Sequence, residues 1–157
     1  MNRYVIFFLT VITVTLLDQL TKAFIQGTMS LHSSWTVIAG FLNITYVRNP
    51  GAAFGFLSQA SPGFRAIFFV LVTILAIGMI LYYLARTQTG QPWLVFALSL
   101  ILSGALGNLI DRLRFGEVTD FIDVYWRSYH WPAFNVADAA ISVGAVLMIL
   151  AMMRVEE

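Results

Sequence analysis

The chain has 157 residues, 59% of them hydrophobic and 11% charged, with a formal net charge of +1 and a mean hydropathy of +0.82. Soluble domains carry about a quarter charged residues, so the composition excludes an ordinary soluble domain and marks an integral membrane protein of one domain. The near-zero charge, without any Lys/Arg cluster, gives no basis for binding nucleic acid, and the absence of cysteine excludes disulfides, thiol catalysis and Cys-based metal sites. His32 and His130 stand far apart, outside any metal-type repeat, and read as interfacial or surface residues.

The first apolar stretch follows Arg3 and resembles the core of a signal peptide. No small-x-small cleavage site follows it. It continues through Asp18 and Lys22, predicting an uncleaved span at about 4–25. A bilayer needs roughly 20 apolar residues. Residues 66–85, bracketed by Arg65 and Arg86, meet that length without a charge. A third span covers 92–110 and ends against Asp111-Arg112, and a fourth covers 134–153, before Arg154 and the acidic tail.

Between spans one and two, residues 26–64 hold a stretch rich in β-branched and aromatic residues and then a Pro-Gly turn. They predict one or two short strands that must pair internally or lie outside the hydrocarbon. RTQTGQ at 86–91 is a tight link. Residues 113–133 form a second polar loop whose Trp and Tyr residues suit the membrane interface. The fold class is therefore a membrane all-α bundle of four transmembrane helices with a small strand-bearing first loop.

Parity places Asp18, Lys22, Asn49, Asn108, Asp111, Arg112, Asp120, Asn135 and Asp138 on one side of the membrane. Six of the nine Lys and Arg residues share that side. The positive-inside rule would make it cytoplasmic. Several of these cations lie beside acids, however, so charge counting alone leaves the orientation open.

Five of the eight acids fall between Gly104 and Asp138, and ionisable groups beside hydrocarbon are expensive enough to need a reason. Asp18 and Lys22 are four residues apart on one helix face, where they can pair, either as a snorkelling pair or as a brace for a neighbouring site. Asn49 precedes a Pro-Gly turn and could hydrogen-bond a peptide. Gly104, Gly107, Asn108 and Asp111 form one small, polar helix face, suited to helix packing or to a site. Arg112 beside them is available to pair with a carboxylate. Asn135 and Asp138 share the first turn of span four, where a carboxylate gains from the helix N-terminus. A loop carboxylate delivered opposite Asp138, from Asp120 or Asp123, would make a pair that shares one proton. One acid can then activate water while the other protonates the carbonyl or the leaving amine. Such chemistry needs no metal and no organic cofactor.

With these residues assembled, the chain resembles the bacterial lipoprotein signal peptidases, a family of intramembrane aspartyl proteases. Five ordered motifs carry the resemblance over nearly the whole length: DQLTK at 18–22, NPGAAFG at 49–55, GNLIDR at 107–112, GEVTDFID at 116–123 and FNVAD at 134–138. Ser103 stands where the family often has a glycine. The resemblance implies that Asp120 and Asp138 are the catalytic pair, and that Asp18, Lys22, Asn49, Gly104, Asn108, Asp111, Arg112 and Asn135 support or line the substrate site. It also implies a monomer in the bacterial inner membrane, with the active site and a small β-sheet platform in the first loop on the periplasmic side, against the charge count. Part of the second loop would form a lid. The partners implied are membrane lipid and a prolipoprotein substrate, cleaved before its diacylglyceryl-modified cysteine. From the residues alone, a small four-span proton-coupled transporter and a non-enzymatic assembly factor are the alternatives.

Overall fold

The computed structural model describes residues 2–51, 56–57, 59–87 and 91–153. Residues 52–55 of the Pro-Gly turn, residues 88–90 of the RTQTGQ link and the acidic tail lie outside the described residues. Four helices, α1 (Arg3–Thr28), α2 (Pro62–Arg86), α3 (Pro92–Phe115) and α4 (Val136–Met153), are each long and apolar enough to cross a bilayer. All but α4 run past the apolar stretch that predicts them, because polar residues at their ends continue the helical hydrogen bonding. Helix α1 starts on Asn2, whose side chain accepts the Tyr4 amide, and α2 starts on Ser61 with Pro62 in its first turn. Helix α3 ends at Gly116, where φ is +75°, a left-handed conformation that glycine adopts without a Cβ penalty. The Gly116 amide closes on the Arg112 carbonyl at 2.9 Å, and the chain turns directly into a strand.

Helix α3 is the central element and packs against the other three. Its contact with α4 is a small-residue seam. A Cβ on Gly104 would collide with the Ala137 carbonyl and Ile141, and one on Gly144 would lie 2.8 Å from the Ala97 carbonyl oxygen. Close backbone approach of this kind replaces the hydrophobic drive that helices lack in lipid. One apolar cluster joins Ile6, Phe7, Ile80, Leu84, Val95, Leu98 and Leu102 of the three helices α1, α2 and α3. A second, of Ile25, Met29, Tyr46 and Phe121, joins α1 to the sheet. The outer faces of α1 and α2 leave Leu9, Leu20, Phe24, Ile67 and Leu75 exposed, as lipid-facing residues should be.

The strands form one antiparallel series, β1 (Ser34–Ile38), β2 (Leu42–Asn49), β3 (Val118–Trp126) and β4 (Tyr129–His130). The first loop thus supplies only half of the sheet. The segment expected as a second loop supplies the rest, and the DFID carboxylates sit on a strand instead of a loop. Val118 to Asp123 alternate apolar and polar side chains at three of their five steps, and β2 offers a partner edge in register, with Asn49 opposite Val118 and Val47 opposite Asp120. The register shifts between Ile44 and Val47, a bulge of the kind that re-aims side chains near sites. On its other edge β3 is joined to Phe134: the Ile122 amide donates to the Phe134 carbonyl at 2.8 Å, and the Phe134 amide donates back at 3.1 Å. That clasp fixes the entrance of α4 relative to β3.

Candidate active site

Where α3 ends, α4 begins and β3 passes between them, the buried polar side chains collect. Asp120 is buried at 2% exposure, and its two carboxylate oxygens accept from Asn135 Nδ2 at 2.7 Å and Asn49 Nδ2 at 3.0 Å. Asp138, partly exposed, accepts from Asn108 Nδ2 at 2.8 Å. Asn135 and Asp138 also cap each other. The Asn135 side-chain oxygen Oδ1 accepts the Asp138 backbone amide at 2.9 Å, and the Asp138 carboxylate accepts the Asn135 backbone amide at 3.3 Å. This is a reciprocal cap at the first turn of α4. Asn135 therefore touches both acids, and the clasp at Phe134 sets the spacing between their two elements.

The Asp120 carboxyl is pushed up to about 7, first by burial and then by the charge of Asp138, against the hydrogen bonds from Asn49 and Asn135 and the nearby Lys22 ammonium. Burial and a like charge both oppose ionisation, the pattern of an acid kept protonated near neutral pH. Asp123 stands apart from this pair. Its carboxylate accepts from Asn43 at 2.9 Å and meets His130 Nδ1 at 2.8 Å, tying three strands together. Of the two DFID acids, only Asp120 faces Asp138.

Beneath the pair lies a buried charge cluster. Lys22 Nζ is 2.9 Å from Asp18, 3.2 Å from Asp111 and 3.1 Å from Asn108 Oδ1. Lys22 and Asp18 are almost wholly buried, so they point into the bundle and do not snorkel. Asp18 accepts the Ala137 amide of α4 at 2.9 Å, and Asp111 accepts the Thr119 amide of β3 at 3.0 Å. Each acid thus receives a backbone N–H from one of the two elements that carry the pair. Gly107 leaves room for Asp18, since a Cβ there would strike its carboxylate. Arg112 differs from expectation: its guanidinium donates to the Gly51 carbonyl at 3.1 Å and lies 4.2 Å above the Phe69 ring, with no ion pair to a carboxylate among the described residues.

Two contributors carry little signal in the sequence. Gln19 Nε2 reaches Asp18, the Gly107 carbonyl and Asp111, each at 3.1 Å. Thr119, fully buried, takes Gln26 on its hydroxyl at 2.8 Å and Asn135 on its carbonyl at 3.2 Å. The one hint was an uncharged amide inside an apolar helix, where polar side chains seek partners. Among the described residues no three His, Cys, Asp or Glu side chains converge as a metal cage would require.

The family model for signal peptidase (SPase) II matches residues 10–154. The chain belongs to the signal peptidase II family. A lipoprotein signal peptidase of Syntrophus aciditrophicus (strain SB) is 52% identical over 150 residues, covering 96% of this chain and 93% of the relative. One from Geobacter sulfurreducens (strain ATCC 51573 / DSM 12127 / PCA) is 52% identical over 153 residues, covering 98% and 94%. The fold matches a bacterial membrane enzyme solved by the in meso method at 2.3 Å, with a TM-score of 0.85 and 39% identity over 94% of this chain and 87% of that one. This family member is therefore a membrane-embedded protease of lipoprotein processing, with four apolar helices and a small antiparallel sheet.

Proposed function

We propose that the chain is an aspartyl endopeptidase that removes the signal peptide of diacylglyceryl-modified prolipoproteins, with Asp120 and Asp138 as its catalytic pair. The observation that carries the reading is the shared partner. Asn135 donates its side-chain amide to Asp120 and its backbone amide to Asp138, so two acids from different elements meet at one residue. Asp120, buried and pushed up to about 7, holds the shared proton. Asp138, more open to solvent and at a helix N-terminus, serves as the base.

In the reaction, Asp138 takes a proton from water as the hydroxyl oxygen attacks the scissile carbonyl carbon. Asp120 gives its proton to the carbonyl oxygen, forming a gem-diol. On collapse the C–N bond breaks. The nitrogen leaves with the proton held on Asp138, the new carboxylic acid returns one to Asp120, and the pair is restored. Arg112, whose present partner is a loop carbonyl, can offer the same donors to a peptide carbonyl. A lipidated signal peptide is already held in the bilayer, so a site at the polar end of the bundle needs no soluble binding domain.

The site is proposed to face the periplasm from the inner membrane. The charge count that argues otherwise loses force here. Lys22 is ion-paired inside the fold, Arg48 covers Phe115 at 4.5 Å, and Arg112 covers Phe69. Cations fixed in tertiary contacts do not report topology as loop cations do.

The test is cleavage of a diacylglyceryl-modified prolipoprotein by the purified protein, with the product masses locating the cut before the modified cysteine. Asp120→Asn and Asp138→Asn should each abolish it. Retained cleavage in either variant ends the pair assignment, and proton-coupled flux lost in its place supports a transporter.

A further inference from the structure

Asparagine presents two faces of nearly equal shape, a carbonyl oxygen and an NH2 group, and only its partners decide which points where. At Asn108 the choice matters, because one face meets Asp138 and the other meets Lys22. A lysine ammonium has three donors and no acceptor. Lys22 directs one at Asp18, one at Asp111 and one at Asn108 Oδ1. Asn135 Nδ2 adds a second donor to the same oxygen at 3.3 Å. The flipped amide would set NH2 against NH3+ on one side and oxygen against carboxylate on the other.

We propose that Lys22 is a positioning residue that locks the Asn108 amide with its NH2 towards Asp138. The inference rests on the aspartyl reading above and deepens it. With the lock in place, Asp138 meets a donor and is favoured as the carboxylate that must accept a proton from water. Without it, only the longer 3.3 Å bond from Asn135 opposes a turn of the Asn108 oxygen to Asp138, a turn that favours the protonated acid and disables the base. Lys22 thus acts on the reaction through Asn108 without itself touching the substrate. The four carboxylates around it (Asp18, Asp111, Asp120 and Asp138) and Arg112 are the charged groups facing this knot.

The experiment measures kcat, KM and the pH profile of the purified full-length protein on a diacylglyceryl-modified prolipoprotein. Lys22→Met should lower kcat about 100-fold, the scale of a misplaced catalytic group, with KM little changed. The acid limb should move to higher pH, because Asp138 then needs a higher pH to ionise. Asn108→Leu should do the same, and the double variant should lose little more than either alone, because both remove one interaction. Lys22→Arg, also only a donor, should keep the acid limb in place. If Lys22→Met does not fold, Lys22→Met with Asp18→Asn removes the opposing charge and is read against Asp18→Asn alone. A loss of rate with the acid limb unmoved, or losses that multiply in the double variant, overturns the proposal while Asp138→Asn stays inactive and the pair stands. Cleavage by Asp138→Asn overturns the underlying reading as well.

Discussion

At the end of the bundle where Phe7, Leu84, Val95 and Leu98 meet, only volume matters. At the other, where Asp18, Lys22, Asn108, Asp111, Asp120 and Asn135 meet, direction matters, since each buried polar atom must find a partner of the right kind. Helix α3 runs through both ends, and its middle shows that polarity alone does not make a site. Ser99 and Ser103 are fully buried, yet each hydroxyl is satisfied by its own helix, at the Val95 and Ser99 carbonyls, 2.6 Å away in both cases. What distinguishes the polar end is that its bonds run between elements: α1 to α3, α3 to α4, and β3 to α4. An apolar end tolerates repacking. A directional end does not, and it can therefore hold two acids in one geometry.

If that division is correct, substitutions at the two ends should separate activity from stability. The largest effect belongs to Asp120→Asn and Asp138→Asn. Each should abolish measurable turnover, a loss of at least about a thousandfold and within the range for a lost general acid or base, while helical content by circular dichroism is unchanged. Leu98→Ala should do the opposite. Leu98 is 2% exposed, and truncation removes packing that lipid does not restore, at a cost of about 2 kcal/mol in reversible unfolding. Turnover per folded molecule should stay at the parent value.

The glycine seam sharpens the same contrast within a single helix pair. Gly104→Val and Gly144→Val both force α3 and α4 apart, and overpacking of this kind costs about 1–3 kcal/mol. Gly104 presses on Ala137, next to Asp138, whereas Gly144 presses on Ala97, two turns further along α4. Gly104→Val should therefore also reduce turnover per folded molecule, and Gly144→Val should leave it intact. Equal losses of turnover would mean that the ends are mechanically one unit.

The four helices were legible because length and hydropathy suffice to mark a span, and Asn135 and Asp138 because their spacing places both on a helix's first turn. The sheet was legible only in half. Residues 118–126 carry Trp, Tyr and Val, which suit a strand and a membrane interface equally, and nothing local says that β2 will offer them a partner. The choice between Asp120 and Asp123 was hidden for the same reason. They are separated by three residues, an odd offset that sends strand side chains to opposite faces, and which face meets α4 depends on the pairing of Ile122 with Phe134. Arg112 was legible as a cation in the field of Asp138, Asp120 and Asp111, but its direct contacts, the Gly51 carbonyl and the Phe69 ring, are distant in sequence and carry no local signal.

The smallest effect concerns Asn49, which reaches the polar end from the sheet. Its side chain donates to Asp120 Oδ2 at 3.0 Å. A donor favours the ionised form, and this bond is among the influences that hold the Asp120 carboxyl down to about 7. Activity needs one proton on the pair, so the basic limb of the pH–rate profile follows loss of that proton, and turnover should fall as pH rises through about 7. Asn49→Ala removes a donor from the carboxylate, which moves the Asp120 ionisation, and with it the basic limb, to higher pH. A shift of about one unit corresponds to 1.4 kcal/mol of differential stabilisation, the scale of one hydrogen bond to a charged group. Because the position of a limb does not depend on how much protein is folded, a limb that stays in place would mean that Asp120 does not hold the proton, and that the apolar surroundings of β3 raise its carboxyl without putting it to use.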